Sequence, residues 1–323
     1  MPRSPNVLIL LTLPEPVRTQ YHARLREKFP ALTITMVDHY SKVDPYIATA
    51  DVLITFGPML ADHADDVVRR AKSLRWIQAL GTGLDNIIDL PSLRPDIVIT
   101  NMRGIHGAPV SEAAIAAMLA LSRDLPRVVR NQERCMWDRW PARLLDGKTV
   151  GILGVGAIAE ALAPKCKALG MTVVGISSAP REAPGFDRMY DRGGLVRAVR
   201  ELDYFVLLTP YSAQTRGIVA GSVLSAMKPT SFLINLARGG IVDEAALVEA
   251  LTQGRIAGAA LDVFNTEPLP AHHPFWSMTN VIVTPHLGGF CDVYVDHTIP
   301  VIEENMRRFL AGDVENMINL VKR

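Results

Sequence analysis

Short apolar runs alternate with amphipathic segments along the first hundred residues of the chain. The runs with the length of a strand are Val7–Leu11, Leu32–Met36, Val52–Phe56, Trp76–Ala79 and Val98–Thr100. Two segments between them, Val17–Phe29 and Ala61–Lys72, carry apolar residues at the spacing of a helix. Because such strands and helices alternate, this part of the chain predicts a parallel sheet covered by helices.

A second alternating series begins after Gly147. Its apolar runs are Thr149–Leu153, Thr172–Ile176, Tyr204–Leu208, Ser231–Ile234, Ile256–Leu261 and Val281–Val283. Helices are predicted from Gly156, over Val110–Ser122, which is rich in strong helix formers, and near Ile299–Leu310. A chain of 323 residues is expected to form two domains, and both halves of this one predict the α/β class.

The composition is that of a soluble globular protein without a charge preference for polyanions. Hydrophobic residues make up 49% of the chain, charged residues 21%, and the formal net charge is +1, so we expect neither nucleic acid nor a membrane as partner. The run Val7–Leu13 is too short for a signal peptide, and no run reaches the ~18 residues of a membrane helix. The spacing of Cys135, Cys166 and Cys291 suits neither disulfides nor a metal site, so we expect a cytoplasmic protein without a metal.

A glycine turn follows the first strand of the second series and opens a predicted helix. Gly154 permits the tight turn, and Gly156 lets a pyrophosphate approach the backbone at the helix N-terminus. Ala159 is the small residue where the helix packs on the strand. Because a further strand follows at the expected distance, the pattern predicts a dinucleotide site, with Ala157 and Ile158 among the residues that contact the cofactor.

The acidic residue that usually reads the cofactor ribose is missing. Ser177 stands at the distance from Gly154 where an Asp or Glu would bond the 2′-hydroxyl and repel a 2′-phosphate. Ser177 and Ser178 can donate hydrogen bonds instead, and Arg181 can pair with the phosphate. The sequence therefore favours NADP(H) over NAD(H). The alternative is a solvated loop whose arginine contacts only water.

Arg238, Glu267 and His286 each follow one of the last three apolar runs. If those runs are parallel strands of one sheet, all three side chains lie at its carboxyl edge, where open α/β sheets bind ligands. Arg238 can hold a carboxylate, and His286, steered by Glu267, can donate and accept a proton. This set predicts catalysis of acid–base chemistry on an α-keto or α-hydroxy acid. The alternative for each residue is a purely structural role at a strand end or turn.

The glycine turn, Arg238, Glu267 and His286, in that order, resemble the D-isomer-specific 2-hydroxyacid dehydrogenases, which include glyoxylate/hydroxypyruvate reductases. The resemblance covers nearly the whole chain. It implies two Rossmann-like doubly wound parallel-sheet domains, the nucleotide domain inserted into the substrate domain, and a homodimer. The implied bounds are 1–101 plus 290–323 for the substrate (catalytic) domain and 102–289 for the NAD(P)-binding domain.

The same resemblance implies further site residues. Thr82 and Gly83 lie in a stretch that looks like the family's substrate loop, where backbone N–H groups would bind the substrate carboxylate together with Arg238 and His286. A glycine hairpin without a ligand is the alternative there. The other positions that would contact the cofactor are Thr209, Pro210, Thr215, Ala237, Arg238, Asp262, His286 and Gly288.

We therefore predict an oxidoreductase that transfers a hydride between NAD(P)H and a small 2-oxo acid to give a D-2-hydroxy acid, with His286 as proton donor and acceptor. Nothing obvious in the sequence marks a phosphate-carrying substrate. One alternative is a phosphite-type dehydrogenase, which the three side chains do not exclude; formate enzymes carry Gln where Glu267 stands. The other alternative is a non-catalytic NAD(P)-sensing corepressor or scaffold, which the near-neutral net charge disfavours.

Overall fold

The computed structural model describes residues 4–179 and 181–322, with all of their side chains except those at positions 59, 61 and 62. The chain divides into two compact units: the first unit is Met1–Ile105 with Asp292–Arg323, and the second unit is His106–Cys291. None of the helices in the described part of the chain is long and apolar enough to cross a lipid bilayer.

Strands and helices alternate through both units. The strands are β1 (Asn6–Leu10), β2 (Thr33–Val37), β3 (Val52–Thr55), β4 (Trp76–Ala79), β5 (Val98–Thr100), β6 (Thr149–Leu153), β7 (Thr172–Ser177), β8 (Arg188–Asp191), β9 (Tyr204–Leu207), β10 (Phe232–Asn235), β11 (Gly258–Leu261) and β12 (Val281–Val283). The α-helices are α1 (Glu15–Lys28), α2 (Asp44–Ile47), α3 (Ala64–Arg70), α4 (Gly107–Arg123), α5 (Leu125–Glu133), α6 (Ala157–Ala168), α7 (Leu195–Ala198), α8 (Gly221–Ala226), α9 (Glu244–Thr252) and α10 (Tyr294–Ala311). Short 3₁₀ helices span Tyr40–Lys42, Gly57–His63, Arg192–Gly194, Val199–Glu201, Gly239–Ile241, Pro274–Trp276 and Val314–Asn316.

The first unit contains a parallel sheet with strand order β2-β1-β3-β4-β5. Val7 and Ile9 of the inner strand β1 face a core shared with α1 and α10. Leu8 and Leu10 face a second core, formed with α2 and α3. Because both faces are buried, β1 is a continuous apolar run, as expected for a strand of a parallel sheet.

A buried polar network joins this sheet to α10 and the segment after it. Asn305 Nδ2 donates to Gln78 Oε1 at 3.1 Å and to the Ile318 carbonyl at 3.0 Å, and Asn305 Oδ1 accepts from the Ile318 N–H at 2.6 Å. Thr100 Oγ1 also donates to Gln78 Oε1, at 2.8 Å. Asn305, Gln78 and Thr100 are fully buried, so their polar atoms depend on these partners rather than on water.

We expect Asn305→Ala to lower the free energy of unfolding by about 2–4 kcal/mol, because it removes three hydrogen bonds, takes these partners from the Ile318 N–H and carbonyl groups, and leaves Gln78 Oε1 with the Thr100 hydroxyl as its donor. The matched control is Asn316→Ala, which removes an exposed amide bonded to Asp313 and should cost less than about 0.5 kcal/mol. Urea denaturation followed by circular dichroism measures both changes. Equal losses in the two variants would contradict a stabilising role for the network.

The second unit contains a parallel sheet with strand order β12-β11-β10-β9-β6-β7-β8. α4 and α6 pack on one face of it, and α7, α8 and α9 pack on the other. The strand order reverses between β6 and β9, which is the switch point where doubly wound sheets bind ligands. The predicted fold class, two Rossmann-like doubly wound parallel-sheet domains with one inserted into the other, is confirmed.

Some elements differ from those that the hydrophobic pattern predicts. The edge strand β8 was not predicted, because Arg188 and Asp191 at its ends are exposed and leave no apolar run. α10 begins at Tyr294, one turn before the predicted start, and α4 begins at Gly107. The predicted helix over 61–72 is a 3₁₀ helix followed by the short α3.

Candidate active site

The predicted site residues of the second unit follow the carboxyl ends of neighbouring strands. They are Gly154 and Gly156 after β6, Ser177 at the end of β7, Thr209 after β9, Arg238 after β10, Asp262 and Glu267 after β11, and His286 after β12. Because these strands are all parallel, the loops that carry the residues lie along one edge of the sheet, on both sides of the switch point.

The glycine turn after β6 fits the pyrophosphate of a dinucleotide. Gly154 has a φ of +99°, and a Cβ there would lie 2.5 Å from the Thr209 nitrogen, so the turn packs directly on the backbone after β9. A Cβ on Gly156 would meet no atom within 4 Å among the described residues. The N-cap residue of α6 is Gly156, which has no side chain to cap the helix, and the helix begins at Ala157 and continues with Ile158. Its first-turn N–H groups and the space beside them suit an anion.

Thr215 shapes the loop after β9 that faces the glycine turn. Its side chain is buried, its Oγ1 donates to the Pro210 carbonyl at 2.7 Å, and it accepts from the Ser212 N–H at 2.8 Å. Thr209 at the start of this loop is buried as well. The structure therefore brings Thr209 beside Gly154, and the bonds of Thr215 to Pro210 and Ser212 fix the shape of the loop that follows.

Ser177 and Arg181, two of the three residues predicted to read the cofactor ribose, have partners within the second unit. Ser177 Oγ accepts from the Ala179 N–H at 3.3 Å and so closes its own turn, while Ser178 is exposed. The Arg181 guanidinium forms an ion pair with the Glu160 carboxylate, which comes from the first turn of α6. Glu160 has no role in the sequence-based prediction.

His286 and Glu267 form a hydrogen-bonded pair. The distance between His286 Nδ1 and Glu267 Oε2 is 2.7 Å, and Glu267 Oε1 accepts from the Phe264 N–H at 2.9 Å. Both carboxylate oxygens are thus engaged, which fixes the orientation of the carboxylate and, through it, of the imidazole. Because Glu267 takes Nδ1, proton exchange with a ligand falls to Nε2. The His286 and Glu267 side chains are 23% and 26% exposed, so a ligand can reach them.

Asp262 organises the loop that carries His286. Its buried carboxylate accepts from Thr284 Oγ1 at 2.5 Å and from the N–H groups of Leu287 and Gly288, each at 2.8 Å. Its carbonyl accepts from the His286 N–H at 2.9 Å. These bonds hold His286 at a φ of +54°, a left-handed conformation that non-glycine residues rarely adopt without support. The sequence predicted a cofactor contact for Asp262; its bonds in the structure are to the histidine loop.

Arg238 lies in a turn that two neighbours define. Asn235 Nδ2 donates to the Arg238 carbonyl at 3.0 Å, and Asn235 Oδ1 accepts from the Ala237 N–H at 3.1 Å. A Cβ on Gly239 would lie 2.0 Å from the Phe264 carbonyl carbon, so only glycine lets the loops after β10 and β11 come together. The half-buried Arg238 side chain is thereby held near the loop that carries the Glu267 carboxylate.

The Glu267 carboxyl group interacts electrostatically with the other two predicted catalytic residues, His286 and Arg238. Burial acts to raise the pKa of the Glu267 carboxyl group, but the hydrogen bond and charge of His286, the Phe264 N–H and the Arg238 guanidinium outweigh it. The pKa of Glu267 is therefore lowered from its ordinary value of 4.5, and the group is a carboxylate at neutral pH. The structure thus brings Arg238, Glu267 and His286 into one interacting set.

This lowered pKa has a consequence for acid stability. A carboxyl group whose pKa is depressed on folding stabilises the native state above its unfolded pKa, and that contribution disappears as the pH falls through the folded pKa. We therefore expect the wild-type free energy of unfolding to fall more steeply below about pH 4.5 than that of Glu267→Gln. Urea denaturation at a series of acidic pH values measures the free energy of unfolding of both proteins. The contributions of the other carboxylates are the same in both and cancel in the difference. Parallel pH profiles would contradict the assignment.

Thr82 and Gly83, for which the sequence predicted a substrate contact, lie in the first unit, after β4. The Thr82 carbonyl accepts from Asn101 Nδ2 at 2.9 Å, and Thr82 Oγ1 donates to the Met102 carbonyl at 3.4 Å. Next to them, a Cβ on Gly81 would lie 2.7 Å from the Phe56 ring, so the Gly81–Gly83 turn packs against the end of β3. The turn is thus held by contacts on both sides within its own unit.

Several residues that shape the site were missed from the sequence. Asn235 carries a usable signal, since an Asn directly before a turn often bonds its own backbone. Thr284 and Glu160 carry none, because their partners are distant along the chain. The Phe264 N–H carries none either, because it is a backbone group that every residue type except Pro supplies, although its partner Glu267 is close in sequence. Among residues 4–179 and 181–322, no group of three or more His, Cys, Asp or Glu side chains is placed to hold a metal ion.

Comparison with known proteins identifies the family. The family model for the D-isomer specific 2-hydroxyacid dehydrogenase NAD binding domain matches residues 115–288. A D-3-phosphoglycerate dehydrogenase of Methanocaldococcus jannaschii is 32% identical over 281 residues, which are 85% of this chain and 52% of that protein. A glyoxylate reductase of Aeropyrum pernix is 34% identical over 284 residues, 84% of this chain and 83% of that protein. This chain spans about half the length of the phosphoglycerate enzyme and most of the reductase.

Solved structures agree with this result. A D-isomer specific 2-hydroxyacid dehydrogenase family protein from Aeromonas salmonicida has a TM-score of 0.85 at 30% identity, covering 99% of both chains. A dehydrogenase of Xanthobacter autotrophicus in complex with NADPH and MES has a TM-score of 0.79 at 28% identity, covering 99% and 98%. The D-lactate dehydrogenase of Aquifex aeolicus complexed with NAD and lactic acid has a TM-score of 0.85 at 25% identity, covering 98% and 99%. The chain belongs to the D-isomer specific 2-hydroxyacid dehydrogenase family.

Proposed function

We propose that this protein transfers a hydride between NAD(P)H and a small 2-oxo acid to give a D-2-hydroxy acid, in the manner of a glyoxylate/hydroxypyruvate reductase. The observation that carries the proposal is the 2.7 Å hydrogen bond between His286 Nδ1 and the Glu267 carboxylate. The charge of Arg238 also acts on this carboxylate and helps to lower its pKa. Family membership and the similarity to a glyoxylate reductase over most of its length support it.

The three side chains divide the work of the reaction. A bound reduced nicotinamide supplies the hydride. Arg238 binds the carboxylate and carbonyl oxygen of the 2-oxo acid with its planar guanidinium, which fixes the position of the carbonyl carbon. His286 donates a proton from Nε2 to the carbonyl oxygen as negative charge develops there, and accepts it back in oxidation. Glu267 directs the imidazole and stabilises its cationic form.

The test is loss of reduced-nicotinamide absorbance with purified protein and a panel of oxo acids: glyoxylate, hydroxypyruvate, pyruvate and 3-phosphohydroxypyruvate. We expect turnover of one or more of the unphosphorylated acids, with the D-hydroxy acid as product on chiral chromatography. Turnover of the phosphorylated acid alone would overturn the substrate class. Turnover of none of them, together with reduction of oxidised cofactor by phosphite, would overturn the reaction itself.

We propose NADP(H) as the preferred cofactor. Arg181 follows β7, at the strand end where the 2′ substituent of the ribose is read, and Ser177 rather than an acidic residue ends that strand. The solved relatives include complexes with NADPH and with NAD, so the family accommodates both cofactors. Parallel assays with NADPH and NADH test this preference, and a lower KM for NADH would contradict it.

We also propose that two copies of the chain associate through α5 and the segment after it. None of the residues of α5 is buried, and it exposes Leu125, Val128 and Val129. Trp137, just beyond α5, is 93% exposed. Apolar residues gathered in one segment form a patch that a two-fold axis can pair with itself.

Light scattering after size-exclusion chromatography tests this association. We expect a dimer for the wild type and a monomer for Trp137→Glu combined with Val129→Glu. The matched control is Val196→Glu, since Val196 is an exposed apolar residue elsewhere in the second unit and should leave the dimer intact. A monomeric wild type would contradict the proposal.

We propose a cytoplasmic location as well. Cys135 and Cys166 are free thiols, and Cys135 is exposed, which suits a reducing compartment. Fractionation of cells that express the native protein, with detection by antibody, tests this. Recovery outside the cytoplasmic fraction would contradict it.

A further inference from the structure

The ion pair between Arg181 and Glu160 lies where the sequence predicted a free phosphate-reading arginine. Glu160 belongs to the first turn of α6, the helix that the glycine turn opens, and Arg181 follows the end of β7. Arg181 also donates to the Glu182 carbonyl at 3.4 Å. Both partners of the ion pair are exposed enough for an ion in solution to compete with either of them.

We propose that Glu160 is a specificity-determining residue, whose carboxylate competes with the cofactor 2′-phosphate for Arg181. The inference rests on the proposed function, in which Arg181 reads the 2′ substituent. Dinucleotide folds usually carry an acidic residue at the end of the second strand, where this chain has Ser177. An acidic side chain is instead supplied by Glu160 of α6, which pairs with Arg181.

Charge decides which cofactor this arrangement affects. A 2′-phosphate carries nearly two negative charges, and to bind Arg181 it must displace Glu160 or lie beside it. A 2′-hydroxyl has no charge, so it neither has to displace Glu160 nor is repelled by it. Because an ion pair between exposed side chains is weak, the phosphate can displace Glu160 from Arg181, but it then binds with reduced affinity. Removing the Glu160 charge should therefore strengthen binding of 2′-phosphorylated nucleotides only.

Calorimetric titration with adenosine 2′,5′-bisphosphate and with adenosine 5′-monophosphate measures this without turnover. We expect Glu160→Gln to bind the bisphosphate about five- to tenfold more tightly than the wild type at low ionic strength, with the monophosphate unchanged. The matched control is Glu182→Gln, which removes an equal charge from a neighbouring exposed residue and should change neither affinity by more than about twofold.

A double-variant cycle with Arg181→Ala separates competition from simple repulsion. If Glu160 competes for Arg181, the gain from Glu160→Gln should shrink to about twofold or less when Arg181 is absent. An equal gain in both backgrounds would overturn the competition, as would unchanged bisphosphate affinity in Glu160→Gln alone. Failure of the wild type to bind either nucleotide, or NADPH and NADH, would instead overturn the proposed function, and this inference with it.

Discussion

His286→Asn should lower kcat for oxo-acid reduction by roughly 10²- to 10⁴-fold, the range expected when a positioned proton donor is lost. The Asn amide can still donate a hydrogen bond toward Glu267, but it cannot give up a proton at the substrate carbonyl. The left-handed backbone at this position also favours Asn among non-glycine residues, so the loop that Asp262 holds should keep its shape. The change therefore tests the chemistry rather than the fold.

Steady-state kinetics and cofactor binding should be measured together on this variant. We expect the Kd for the reduced cofactor to stay within about threefold of the wild-type value, because none of the lost interactions is with the pyrophosphate. His272→Asn is the matched control, since His272 is exposed and lies outside the proposed site. A His286→Asn enzyme with more than about a tenth of wild-type kcat would rule out the proton-donor role.

The architecture could be predicted because it depends on a pattern that the chain displays locally. Strands buried on both faces must be apolar throughout, and β1 and β3 are recognisable for that reason alone. The edge strand β8 escaped the prediction because half-exposed residues carry no such pattern. Helix bounds shifted by a turn where polar residues interrupt the apolar pattern, as at the start of α10, where Asp296 and His297 separate the buried Val295 from the buried Thr298 and Ile299.

The candidate site could be predicted as a set of residue types but not as a set of contacts. Arg, Glu and His after successive strands are visible in the sequence, and the parallel sheet places them on one edge. The bonds from Asp262 to the loop of His286 are not visible, because they join backbone groups to a carboxylate more than twenty residues away. The pairing of Glu160 with Arg181 is not visible for the same reason, because the rest of α6 and the strand β7 separate the two residues along the chain.

Arg238→Lys should lower kcat/KM for the oxo acid by about 10- to 100-fold, although the charge is retained. Two parallel N–H groups of a guanidinium can bind a carboxylate and a neighbouring oxygen together, whereas an ammonium is a point charge without that geometry. The loss of one charge-assisted hydrogen bond, about 1.5–3 kcal/mol, corresponds to this range. The larger part of the effect should appear in KM if Arg238 binds ground state and transition state alike.

Arg238→Gln separates charge from geometry at the same position. It removes one of the interactions that lower the pKa of Glu267, so the pKa of that carboxyl group should rise relative to the wild type, whereas Arg238→Lys should leave it lowered. We expect kcat/KM to fall by about 10³-fold in Arg238→Gln, beyond the loss in Arg238→Lys. Arg255→Lys is the control, because Arg255 pairs with the exposed Glu249 away from the predicted site residues. Equal activity of Arg238→Lys and the wild type would show that a point charge suffices, and that the fork of Arg238 does not bind the substrate.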